Sequence, residues 1–77
     1  MTVSEVRILI HEARTAVEVD VLIDHALEIL AVSDKQFLLE ILVEDSVSVP
    51  AKSPNELSRK LKNINLAIVL LQSGFRI

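Results

Sequence analysis

Lys52, Ser53, Asn55, Arg59, Lys60, Lys62 and Asn63 lie within one short stretch of the chain. They combine two kinds of side chain that nucleic-acid recognition uses. Lysine and arginine neutralise phosphate. Arginine and asparagine can make paired hydrogen bonds to guanine and adenine edges. Ser53-Pro54-Asn55-Glu56 reads as a helix start: serine caps, proline takes the first helical position and glutamate completes a capping box. The free N–H groups of that first turn add a positive helix end suited to phosphate. On this reading Arg59, Lys60 and Lys62 contact phosphate, Asn55 and Asn63 reach base edges, and Lys52 and Ser53 complete the candidate site.

Other chemistry is sparse. The 77 residues contain no cysteine, no tyrosine and one glycine, Gly74. A disulfide framework, a cysteine-ligated metal and a glycine-rich phosphate loop are therefore excluded. His11 and His25 lack the i, i+4 spacing of a helical metal pair. Glu40, Glu44 and Asp45 read as a solvated helix face. No catalytic residue, metal or cofactor is expected, and the chain reads as a non-enzyme.

Charge is divided unevenly. Residues 1–51 carry ten acidic and three basic side chains; residues 52–77 carry five basic and one acidic, for a net charge of −3. Two readings stay open. The basic tail is a phosphate-binding edge, or it is attracted to the acidic body within one chain or across a dimer. The chain is 51% hydrophobic with only two aromatics, Phe37 and Phe75, so the core is aliphatic. Leu66–Leu71 is the longest apolar run, far short of the roughly 20 residues a membrane span needs. No basic stretch followed by an apolar one opens the chain, so no signal peptide is expected and the cytoplasm is the default location.

Four helices must position these residues, in a single mostly α domain over residues 1–77. The first spans about 3–14, capped by Thr2 or Ser4, with Val6, Leu9, Ile10 and Ala13 on one face. The second spans about 20–32, capped by Asp20, with Leu22, Ala26, Leu27 and Leu30 sharing a face. Asp20, Asp24 and Glu28 form an acidic stripe on another. Val17, Val19 and Val21 alternate with acids, so a short strand at 17–21 is the alternative there. Ser33 to Gln36 resembles a capping box for a third helix over about 34–44, whose core face is Phe37, Leu38, Ile41 and Leu42. Asp45–Lys52 is a loop, with a short edge strand at Val47–Val49 ending before Pro50. The fourth helix spans about 54–73 and stops at Gly74. Its seam is Leu57, Leu61, Ile64, Ile68 and Leu71. Leu66–Leu71, apolar on every side, belongs at the centre of the domain or of a homodimer formed through this helix.

The stretch from Val49 to Leu61, with Ile64 and Gly74–Ile77, resembles a segment of phage and mobile-element primase/helicase proteins. Pro50, Ser53, Pro54, Leu57, Ser58, Arg59, Lys60, Leu61 and Gly74 match that pattern; Val49 stands where an aromatic is usual. The resemblance implies a winged helix-turn-helix fold and a DNA-contacting last helix. A wing would require Val47–Val49 to pair with Phe75–Ile77. In size and helix count the chain is also similar to the small acidic four-helix proteins that protect bacteria from their own bacteriocins. Two functions follow as expectations: a small DNA-binding protein of phage or mobile-element type, or an acidic helical protein-interaction module (adaptor, inhibitor or immunity-type), with its working surface around Asp20, Asp24 and Glu28.

Overall fold

A computed structural model describes residues 1–75. They form four helices: α1 Val3–Glu12, α2 Ala16–Ile29, α3 Val32–Val47 and α4 Pro54–Phe75. The radius of gyration is 11.6 Å, close to the roughly 11.5 Å of a compact chain of this length. α4 is the hub and packs against α1, α2 and α3. α1 also packs on α2 and α3, whereas α2 and α3 flank the hub and barely touch.

Each helix start has a local cause except one. Thr2 Oγ1 accepts the Glu5 N–H at 3.2 Å. Thr15 Oγ1 accepts the Glu18 N–H at 3.3 Å, and Glu18 Oε2 accepts the Arg14 N–H at 3.1 Å. Thr15 and Glu18 thus cap α2 reciprocally, in the manner of a capping box but with Glu18 reaching the N–H one residue before the cap, and α2 begins at Ala16 rather than near Asp20. Residues 17–21 are helical, not strand. Ser53 Oγ accepts the Glu56 N–H at 3.2 Å, as expected. The exception is α3. It starts at Val32 behind Ala31, with no side-chain cap, and Ser33 lies inside its first turn. Only Leu30 and Ala31 separate α2 from α3, and Leu30 is buried, so core packing rather than a cap sets this boundary.

The C-terminal ends also differ from expectation. α3 continues through Asp45 to Val47. Val47 is thus helical, Phe75 closes α4, and no strand occurs among the described residues. The rest of the proposed wing, Arg76 and Ile77, lies outside the described residues. Gly74 does not end α4: the helix passes through it, and no glycine has positive φ. Its missing Cβ serves packing instead, because a Cβ there would fall 2.7 Å from Leu27 Cδ2.

The core is aliphatic and built from stripes with 4-3 spacing. They are Val6 and Ile10 on α1 with its C-cap Ala13; Val19, Ile23 and Ala26 on α2 with its C-cap Leu30; Leu38 and Leu42 on α3; and Ile64, Ala67 and Leu71 on α4. The expected core members Leu9, Phe37 and Leu57 are exposed, and Leu22, Ile41, Leu61 and Ile68 are half-buried. Ile10 and Leu42 are buried on the faces expected for them, and Val19, Ile23 and Ala67 join them in the interior. The apolar half of α4 is central to the domain, as expected, although Val69 faces outward.

Candidate functional site

The rotation of α4 decides which candidate residues are available. Its buried seam runs through Ile64, Ala67 and Leu71, and one turn earlier half-buried Lys60 and Leu61 continue it while Leu57 is exposed. Lys60 and Asn63 are therefore drawn inward. Asn63 is 5% exposed. Its Nδ2 donates to the Ile10 carbonyl at 3.1 Å and the Ala13 carbonyl at 2.7 Å. These are carbonyls at the end of α1: Ile10 also accepts the Ala13 N–H at 3.4 Å, and Ala13 lies past the last helical turn. Asn63 is thus a long-range C-cap and not a side chain free to read bases. Lys60 Nζ donates to the Pro50 carbonyl at 3.0 Å and pairs with Glu56 at 3.0 Å. It ties the connecting segment to α4 and is unavailable for phosphate in this arrangement.

The start of α4 is similarly occupied. Ser53 caps Glu56, and Glu56 Oε2 accepts the Lys52 N–H at 3.1 Å. The Glu56 carboxylate already sits at the positive helix end where a phosphate would bind. Lys60, then the Lys52 N–H, hold its pKa below the usual carboxylate value. What remains on the surface is Lys52, Asn55, Arg59 and Lys62. Arg59 shares a hollow with Glu12, Arg14, Glu56 and Lys60, so its surroundings are mixed in sign. Neither Arg59 nor Lys62 makes an ion pair among the described residues. The acidic body and basic tail are therefore not joined by ion pairs between described residues.

A second cluster escaped the sequence reading. Asp45 is 6% exposed on the inner face of α3. Arg7 of α1 grips it side-on, Nε to Oδ2 at 2.7 Å and a terminal nitrogen to Oδ1 at 2.6 Å. His11 Nε2 lies 2.9 Å from Oδ2. The Arg7 hydrogen bonds, then His11, hold the Asp45 pKa below the ordinary carboxylate value despite desolvation, and the Arg7 pKa is raised in return. The sequence did carry a signal: Leu38, Leu42 and Asp45 share 4-3 spacing, and Arg7 and His11 are one turn apart. The cluster fastens α1 to α3. It borders a hollow of about 460 Å³ with Ser4, Ile8, Glu12, Pro50 and Lys60, but its charges are mutually satisfied.

The third feature is the outer face of α2. Val17, Val21, Asp24 and Glu28 follow one another at 4-3-4 spacing, two residues out of step with the buried Val19–Leu30 stripe. Two residues is about 200° of helix, so this stripe faces solvent. Val17 is 70% and Val21 63% exposed. His25 is exposed beside them. No group of three or more metal-ligating side chains occurs among the described residues, and no described helix is long and apolar enough to cross a membrane. No protein-family model, curated relative or solved structure matches the chain.

Proposed function

We propose that this chain is a non-enzymatic helical protein-interaction module that works through the outer face of α2. The observation that carries this reading is the stripe of two exposed valines continued by two carboxylates, left uncovered among the described residues. Isolated exposed apolar residues are ordinary on a monomer. Two on adjacent turns, with half-buried Leu22 beside them, make a contiguous strip. An unpartnered strip beside oriented charge is the form helix-docking surfaces take.

The test is a site-specific photo-crosslinker placed in cells at Val21, and separately at Gln72 on exposed α4. We expect a discrete protein adduct from position 21 and none from 72. Val17→Asp in the same chain should remove it while helical content, read by circular dichroism, stays unchanged. Absence of an adduct from position 21 would overturn the reading.

A nucleic-acid function is the second reading, and one observation favours it: Lys52, Arg59 and Lys62 are exposed without ion-pair partners among the described residues. It rests on these three cations and on exposed Asn55, since Ser53, Lys60 and Asn63 are engaged within the fold. Binding of labelled DNA that falls steeply with salt, and whose salt slope drops by about 1 in Arg59→Ala, would support it. Unchanged affinity in that variant would remove it.

A further inference from the structure

The α2 face also constrains what can sit on it, and this inference rests on the interaction reading above. We infer that its occupant is a basic amphipathic helix of a partner protein, presenting apolar side chains to Val17 and Val21 and lysine or arginine to Asp24 and Glu28.

Charge selects the class of partner. α2 carries Glu18, Asp20, Asp24 and Glu28 and no lysine or arginine. All four acids are exposed, and none pairs with a cation among the described residues. A nucleic-acid backbone is repelled from this surface. An acidic peptide meets like charge. A basic segment gains from each carboxylate, and the gain weakens with salt because the groups are exposed.

Symmetry disfavours a second copy of this chain on the same face. A two-fold contact pairs each α2 with itself. Arranged parallel, it sets Asp24 against Asp24 and Glu28 against Glu28. Arranged antiparallel about the middle of the stripe, it sets Val17 against Glu28 and Val21 against Asp24. Neither arrangement joins apolar to apolar and acid to base together. A heterologous partner can do both.

Length selects the shape of the partner. Val17 to Glu28 covers three helical turns, about 16 Å along the axis. A helix of three to four turns, apolar at one end of its contacting stripe and basic at the other, matches the face. The division of α2 into a valine half and a carboxylate half gives the complex a direction.

The experiment is a fluorescence-anisotropy titration with two dye-labelled helical peptides of eighteen residues. Both carry a leucine stripe at one end. One has lysines flanking the other end, and the second has glutamate at each lysine position. The lysine peptide should bind the intact protein, more weakly as salt rises, and the glutamate peptide should not. D24K/E28K should weaken the lysine peptide by about tenfold or more, the equivalent of losing both ion-pair sites. The control D34K/E40K on α3 makes the same change in net charge at a different face, leaves Glu44 beside Arg7 untouched, and should leave the affinity within about twofold. Circular dichroism confirms that both variants remain helical. Equal binding of the two peptides, equal loss in both variants, or no binding of the lysine peptide would overturn the inference. If the crosslinker at Val21 nevertheless captures a protein, the interaction reading stands and only the basic character of its partner falls. If the crosslinker captures nothing, the interaction reading itself falls.

Discussion

At the scale of single residues, Asp45 shows how a side chain's role follows from where its helix ends. With α3 stopped at Glu44, Asp45 is a loop acid in water. With α3 carried to Val47, the same carboxylate is buried between Arg7 and His11. A buried carboxylate is tolerable only when its oxygens are satisfied, and here both are. Asp45→Asn should cost about 1–3 kcal/mol, since Arg7 loses its charged partner while staying half exposed. The pH dependence has a definite sign. The folded pKa of Asp45 is depressed, so its contribution is fully present above the ordinary value of 3.8 and is lost as pH falls through the lower folded value. Urea unfolding from pH 6 down to pH 2 should therefore show stability falling with acid. The fall should be shallower in Asp45→Asn, leaving the part due to Glu56, whose pKa is depressed in the same direction. An identical slope in that variant would refute the role given to Asp45.

At the scale of elements, capping and core phase compete to set helix boundaries. Thr15 and Asp20 are both plausible caps for α2 by residue type. Starting at Thr15 puts Val19, Ile23, Ala26 and Leu30 on one buried stripe; starting at Asp20 leaves Val19 outside the helix. The first option buries more apolar surface and satisfies the Glu18 N–H as well. Thr15→Ala should therefore lower stability by about 1 kcal/mol, whereas Asp20→Ala, on the exposed face, should stay within about 0.5 kcal/mol. Chemical denaturation of the two variants side by side checks this. A larger loss from Asp20→Ala would move the helix start. α3 shows the opposite balance: Ser33 has the form of a cap, yet burial of Leu30 starts the helix before it.

At the scale of the whole molecule, α4 uses its apolar seam internally. Ile64, Ala67 and Leu71 are covered by this chain's own α1, α2 and α3, so that seam is not left over for self-association. The outward faces of α2 and α3 both mix apolar side chains with acids: Val17 and Val21 with Asp24 and Glu28, and Phe37, Val43 and Val47 with Glu40 and Glu44. Two-fold pairing through either face places carboxylates near one another. The protein should accordingly sediment near its single-chain mass of 8.6 kDa at micromolar concentration and moderate salt. A mass of twice that value would show that exposed apolar side chains, on these faces, at Ile8 and Leu9 of α1 or at Val69 of α4, pair between copies.

Composition and hydrophobic period by themselves determined the fold class. An aliphatic chain with one glycine, two prolines and repeated 4-3 apolar spacing has few ways to bury itself other than as packed helices. They also determined that the apolar half of α4 is buried, within the domain or between two copies, and that Ser53 caps the helix, because capping is a contact between residues three apart. Tertiary structure decided the rest. A helix face is specified by sequence only to within about one residue, or 100°, and that margin separates a base-reading Asn63 from one that caps α1. The same margin turned Lys60 toward Pro50 and Glu56, and Leu57 outward. Asp45 was polar by type and core by spacing, and only the arrival of Arg7 and His11 from α1 resolved the conflict. The acidic stripe on α2 was legible because it is local. That its outer valines stay exposed among the described residues depends on which neighbours pack against α2, and only the assembled fold supplies those.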